Sequence, residues 1–120
     1  MAPKTLPHDH GNNSARWIND LPAVETFQTM ADVFKLLDDS SRLKIFWFLC
    51  HSEECVINLA VIVNMSSPAV SHHLKQLKAN KLVVSRRDGK EMYYKAADTE
   101  QVKLLHQMIE KLVKITCLSD

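Results

Sequence analysis

The sequence predicts a mainly α-helical domain that carries one small β-hairpin. Three observations lead there. Apolar residues recur at helical spacing through most of the chain, only 2 of the 120 residues are glycine, and after Lys81 the apolar period changes to two on either side of Asp88-Gly89-Lys90. At 13.7 kDa and 46% apolar content the chain supports one compact core, with a large surface for its volume that dimerisation would reduce.

Taken in order, residues 1–14 contain His8-Asp9-His10, prolines and the polar run Gly11-Asn12-Asn13-Ser14, and read as a flexible arm ahead of a domain over residues 15–120. From Leu21 onward, Val24, Phe27, Ala31, Phe34, Leu36 and Leu37 trace a first long helix with Pro22 near its start. Asp38-Asp39-Ser40-Ser41 ends it and offers capping oxygens to a second helix. That helix carries Leu43, Ile45, Phe46, Trp47, Phe48 and Leu49, apolar nearly all round, so it is expected at the centre of the core. After His51-Ser52-Glu53-Glu54 a third helix is expected over 55–63, with Asn64 suited to the left-handed position that ends it.

Met65-Ser66-Ser67 turns the chain into the stretch from Pro68 to Lys78. Val70, Leu74 and Leu77 line one face of a helix there, while Ser71, His72, Lys75, Gln76 and Lys78 occupy the other. Ser66 or Ser67 caps the start, and Pro68 fits the first turn, where its missing N–H costs nothing. Two short helices joined by about four residues, the second polar on one side, make a helix-turn-helix. The hairpin that follows joins 82–87 to 91–95 and bears Arg86, Arg87 and Lys90 near its tip. Finally, Val102, Leu105, Ile109, Leu112, Val113 and Thr116 trace a long amphipathic helix capped by Asp98 or Thr99.

Net charge is only +1, so contact with nucleic acid must come from local clustering of cations. No apolar run reaches the length of a membrane span and no secretory leader is evident, which predicts a cytoplasmic protein with no membrane partner. Cys50, Cys55 and Cys117 are odd in number and irregular in spacing, unlike a secreted disulfide framework.

The order helix, helix, helix-turn-helix, basic hairpin, helix is that of a winged helix-turn-helix, and at this point the chain resembles the ArsR/SmtB family of dimeric bacterial repressors. The likeness runs from about Val24 to Val113. It rests on Leu36-Leu37-Asp38-Asp39-Ser40-Ser41-Arg42-Leu43, on Glu54-Cys55-Val56-Ile57-Asn58-Leu59-Ala60, on Ser66 to Leu77, and on Leu82-Val83 through Arg87-Asp88-Gly89-Lys90 to Tyr93-Tyr94. The resemblance implies a homodimer through the first and last helices, with Val102, Leu105, His106, Ile109 and Leu112 at the interface and His106 close to the dyad. It implies double-stranded DNA with an imperfect palindrome as partner. Ser66, Ser67, Ala69, Ser71, His72 and Gln76 would face the bases, Lys75 and Lys78 the phosphates, and Arg86, Arg87 and Lys90 would reach DNA from the wing. His73, beside Leu74 and Leu77, suits the core equally well.

Many members of this family release DNA on binding a metal, and the sequence departs from both of the family's main sites. At the third helix Cys55 keeps one thiol, Ile57 stands where a second is usual, and Cys55 with His8 and His10, joined by Cys50 or His51, is the candidate set for zinc or another divalent ion. On the last helix the aligned residues are Asp98, Glu100, Lys111 and Lys114, and lysine ammonium does not ligate a metal, so ion pairs between subunits are expected instead. Three other readings stand beside a metal-released repressor. Thiol oxidation through Cys50 and Cys55 needs Cα atoms within about 7 Å of each other, and Glu53 and Glu54 would oppose thiolate formation. A winged helix that binds only protein is the second. An enzyme is the third, and it lacks a Gly-rich loop or an oriented nucleophile and base.

Overall fold

The computed structural model describes residues 5–118 and forms two compact units, one up to Asp32 and one from Val33 onward. Met1–Lys4 of the expected arm, and the last two residues of the expected domain, lie outside the described residues.

The first unit contains α1 (Ser14–Asn19) and most of α2 (Val24–Leu36). Helix α1 was not legible in the sequence, because Ser14-Ala15-Arg16-Trp17-Ile18-Asn19 is too short to show a period. Ahead of it Asp9 Oδ1 accepts the Gly11 N–H at 2.9 Å, and the His8 and His10 rings stack with centroids 5.8 Å apart. Along α2, Val24, Phe27, Met30 and Phe34 are all exposed.

The second unit continues with α3 (Ser40–His51), β1 (Glu54–Cys55), α4 (Val56–Val63), α5 (Ser67–Ala79), β2 (Val83–Asp88), β3 (Glu91–Ala96) and α6 (Glu100–Leu118). Helix α3 is central as expected: Ile45 and Phe46 are fully buried, and Leu49 nearly so. They join Leu59, Val63, Val70, Leu74, Leu77, Leu82 and Val83 in one core. The expected third helix starts one residue later than the sequence indicated. Glu54 and Cys55 instead pair with Tyr94 and Tyr93, adding an edge strand to the hairpin in the order β1-β3-β2.

Backbone geometry sets the joints. Asn64 sits in the left-handed region at φ 57, ψ 52, and the Met65 N–H reaches back to the Ala60 carbonyl at 2.9 Å, closing α4. In the hairpin Asp88 pairs with Glu91, so the turn is the two residues Gly89-Lys90, with Gly89 at φ +63. A glycine with positive φ first in a two-residue loop matches the twist of the flanking strands.

One expectation is corrected here. Val102, Leu105 and Ile109 were read as interface residues, but at 3–8% exposure they belong to the protomer's own core. An amphipathic stripe says which residues are buried and leaves their partner open. The apolar residues α6 leaves exposed include Leu104, Met108 and Leu112. No helix among the described residues is long and apolar enough to cross a membrane.

Helix α5 ends as α4 does, with the Leu82 N–H on the Leu77 carbonyl at 3.0 Å, but Lys81 holds the left-handed position at φ 63. A side chain with a Cβ is strained there and glycine is not. Lys81→Gly is expected to raise unfolding stability by up to about 1 kcal/mol, read as a higher urea midpoint at unchanged slope.

Candidate nucleic-acid interface and sensor sites

The polar face of α5 is positioned by what lies beneath it. Ser66 is extended, and its Oγ accepts the Ala69 N–H at 3.2 Å, so this hydroxyl serves the helix cap. Val70, Leu74 and Leu77 are fully buried, which fixes the helix about its own axis. Ser71, His72, Lys75 and Lys78 are thereby turned to solvent, with Ser67 and Ala69 half-buried at the first turn. Ser71, Lys75, Lys78 and Tyr94 line a shallow groove where α5 meets the sheet. His73 leans inward: burial holds its pKa below the ordinary imidazole range, opposed by the nearby Asp39 carboxylate.

Gln76 is also half-buried. Its Oε1 accepts a hydrogen bond from Arg42 Nη1, and its Nε2 lies 3.3 Å from His72 Nε2. Arg42 Nε donates to the Leu36 carbonyl at 2.5 Å, and its backbone N–H donates to the Asp39 carboxylate at 2.9 Å. That last bond caps α3 and is the main cause holding the Asp39 carboxyl below its usual range. Arg42 thus joins the end of α2, the start of α3 and the middle of α5. No local pattern signals this role, because its partners lie 6 and 34 residues away.

The wing is tied down in the same manner. Lys78 Nζ donates to Ser85 Oγ at 2.6 Å. Arg86 forms a two-pronged ion pair with Glu53, its Nη2 2.6 Å from Oε1 and its Nε 3.0 Å from Oε2. Its guanidinium carbon lies 4.8 Å from the centre of the Tyr93 ring. Arg87 and Lys90 are exposed and make no ion pair with any described residue.

The expected metal donors divide between the two units, with Cys50 and Cys55 in the second. Cys55 is buried, pairs with Tyr93 in the sheet and stands at the N-cap of α4. Burial, with a contribution from the Glu110 carboxylate, pushes the half-buried Cys50 thiol up to about 11. His8 and His10 belong to the first unit. Just ahead of α6, Asp98 pairs with Lys103 at 3.1 Å, both well exposed. His106 turns to its own chain, towards His51 and Glu110. Cys50, Cys55 and Cys117 are free thiols.

Fold and site together define a winged helix-turn-helix transcriptional regulator. A family model described as "Bacterial regulatory protein, arsR family" matches residues 39–85, from the α3 cap into β2. Transcriptional repressor SmtB homolog from Synechocystis is 36% identical over 93 residues, covering 78% of this chain and 70% of that one. A cadmium resistance transcriptional regulatory protein CadC homolog from Staphylococcus aureus is 38% identical over 112 residues, covering 92% and 87%. The chain belongs to the ArsR family. The solution structure of a homodimeric winged helix-turn-helix DNA-binding domain from Mycobacterium bovis superposes with a TM-score of 0.66 at 30% identity, covering 75% of this chain and 82% of that one.

The ion pair with Arg86 holds the Glu53 carboxyl below its ordinary value of 4.5, chiefly through the hydrogen bonds. A depressed folded pKa contributes stability that is present above the unfolded value and is lost as pH falls through the folded one. The acid limb of the stability curve below pH 4.5 is therefore expected to be shallower in Glu53→Gln than in the wild type, measured by urea unfolding at successive pH values.

Proposed function

We propose that this regulator acts in the cytoplasm as a homodimeric repressor that binds an imperfect palindrome and leaves it when an inducer binds. The observation that carries the reading is the pairing of a capped, core-anchored α5 with a wing beside it, joined by the Lys78–Ser85 bond. Base edges fall to Ser67, Ala69, Ser71 and His72, whose hydroxyls, methyl and imidazole suit major-groove recognition. Lys75 and Arg87 suit phosphates, as does Lys90 at the tip of the wing. Gln76 and Arg86, read from the sequence as DNA contacts, become positioning residues, because Arg42 and Glu53 already hold them.

The dimer is supported by the exposed apolar residues of α2 and of α6, which an isolated protomer would leave in water. For the inducer, relatives named for cadmium resistance support a divalent cation such as zinc or cadmium. A site built from Cys55, Cys50, His8 and His10 fits poorly in this conformation, since one thiol titrates at about 11 and the other is buried.

Selection from random duplexes should return a two-fold symmetric sequence with half-sites about one helical turn apart. Retention of no duplex at low salt would overturn the DNA reading. On the selected site, Lys75→Ala is expected to weaken binding and to reduce the slope of log affinity against log salt by about one per protomer.

Sedimentation of the wild type should give a dimer, and the double variant Leu104→Glu with Leu112→Glu a folded monomer with weakened DNA binding. A monomeric wild type at micromolar concentration sinks the dimer.

A further inference from the structure

The last turn of α3 and the middle of α6 bring three metal-binding donors to one point. His51 Nε2 lies 2.6 Å from Glu110 Oε1, His106 Nε2 lies 3.1 Å from the same oxygen, and the two imidazole nitrogens are 3.3 Å apart. His106 and Glu110 are neighbours on α6 at the i, i+4 spacing. No other group of three or more His, Cys, Asp or Glu donors converges in this way among the described residues. Without a metal both imidazole Nε2 atoms lie within hydrogen-bond distance of the one carboxylate oxygen. The Glu110 carboxyl accordingly lies below its ordinary range, mainly through the bond from His51.

The separations are those a small tetrahedral cation needs. Zinc–nitrogen and zinc–oxygen bonds of about 2.0–2.2 Å place ligand atoms roughly 3.3 Å apart. Two of the three distances already agree. The third must lengthen by about 0.7 Å as the cation replaces the bridging proton. The side chains are free to make that adjustment, since His51, His106 and Glu110 are 42%, 29% and 32% exposed. The same exposure leaves an approach from solvent, through a surface cleft that His51 and His106 share with Ser52, Asp98 and Lys103. The Trp47 ring packs beside that of His51, with centroids 4.4 Å apart. Two imidazoles and a carboxylate without sulfur favour zinc, cobalt or nickel over ions that depend on thiolate, and over calcium or magnesium, which require oxygen.

We propose that His51, His106 and Glu110 are the protein ligands of a first-row divalent metal ion, best fitted by zinc, with the fourth position open to water. The ion fastens the end of α3 to α6. Two residues beyond His51, Glu53 grips Arg86 of the wing, so the site lies at the root of the DNA-reading hairpin. The site rests on the repressor reading for its role in DNA release, while its ligand chemistry stands apart from that reading.

Cobalt(II) titration of the full chain tests the site by colour. A tetrahedral His-His-Glu set gives visible d–d absorption with no sulfur-to-metal charge-transfer band, one metal per chain, displaced by zinc. His51→Gln and Glu110→Gln are each expected to weaken binding by about 100-fold, and Cys55→Ser to leave it unchanged. Zinc should raise the melting temperature of the wild type and not of the two variants, whose metal-free melts report that they are folded. A thiolate band, affinity that survives both substitutions, or no binding at all overturns the site. Gel shifts of the same samples with and without zinc are read separately. DNA release by zinc in the wild type alone supports the inducer role, and metal bound without release overturns that role only.

Discussion

Burial of Val70, Leu74 and Leu77 is the interaction from which the working parts of this protein follow. The three side chains are wholly enclosed in a core shared with Ile45, Phe46, Leu49, Leu82 and Val83. At about 25 cal/mol per Å² of apolar surface, each contributes roughly 2 kcal/mol. Because they fall on one stripe, removing them from water also fixes the rotation of α5. Its opposite face is therefore presented to solvent without any separate device to orient it. Capping by Ser66 and the left-handed turn at Asn64 determine where the helix begins.

The near-neutral charge of the chain conceals a division of labour among its cations. Arg42, Arg86 and Lys78 are engaged within the molecule, joining α3 to α5, the α3–β1 connection to the wing, and α5 to β2. Lys75, Arg87 and Lys90 remain exposed, on the helix and hairpin those bonds hold in place. An intramolecular bond takes a cation out of the unpaired set and leaves a fixed geometry for the cations that remain. Local placement thus supplies what net charge does not.

Much of this was legible in the sequence because helical periodicity is a strong signal over a dozen residues. The core face of α5, the left-handed Asn64, the hairpin and a cap of α6 at Asp98 or Thr99 follow from local pattern and agree with the structure, where Thr99 is the one that accepts the Val102 N–H. What escaped was of two kinds. Elements too short for periodicity, α1 and the two-residue β1, leave no trace without their partners. Contacts between distant segments were equally hidden. His106 and Glu110 lie one turn apart and can be read together, but His51 is 55 residues from His106 and joins them only once α3 and α6 are packed. The apolar stripe of α6 shows the same limit: its pattern was clear and its destination was not.

The two-residue turn at Gly89-Lys90 constrains how the wing can change over evolutionary time. Successive side chains along a strand alternate between faces. Inserting one residue in β2 or β3 would turn Arg87 to the opposite face and break the facing of Arg86 towards Tyr93 and Glu53. Two residues added to each strand would lengthen the ribbon and keep both its register and its faces, whereas a lone insertion demands a bulge. The length of the wing is therefore tunable only in steps of two rungs of the ladder.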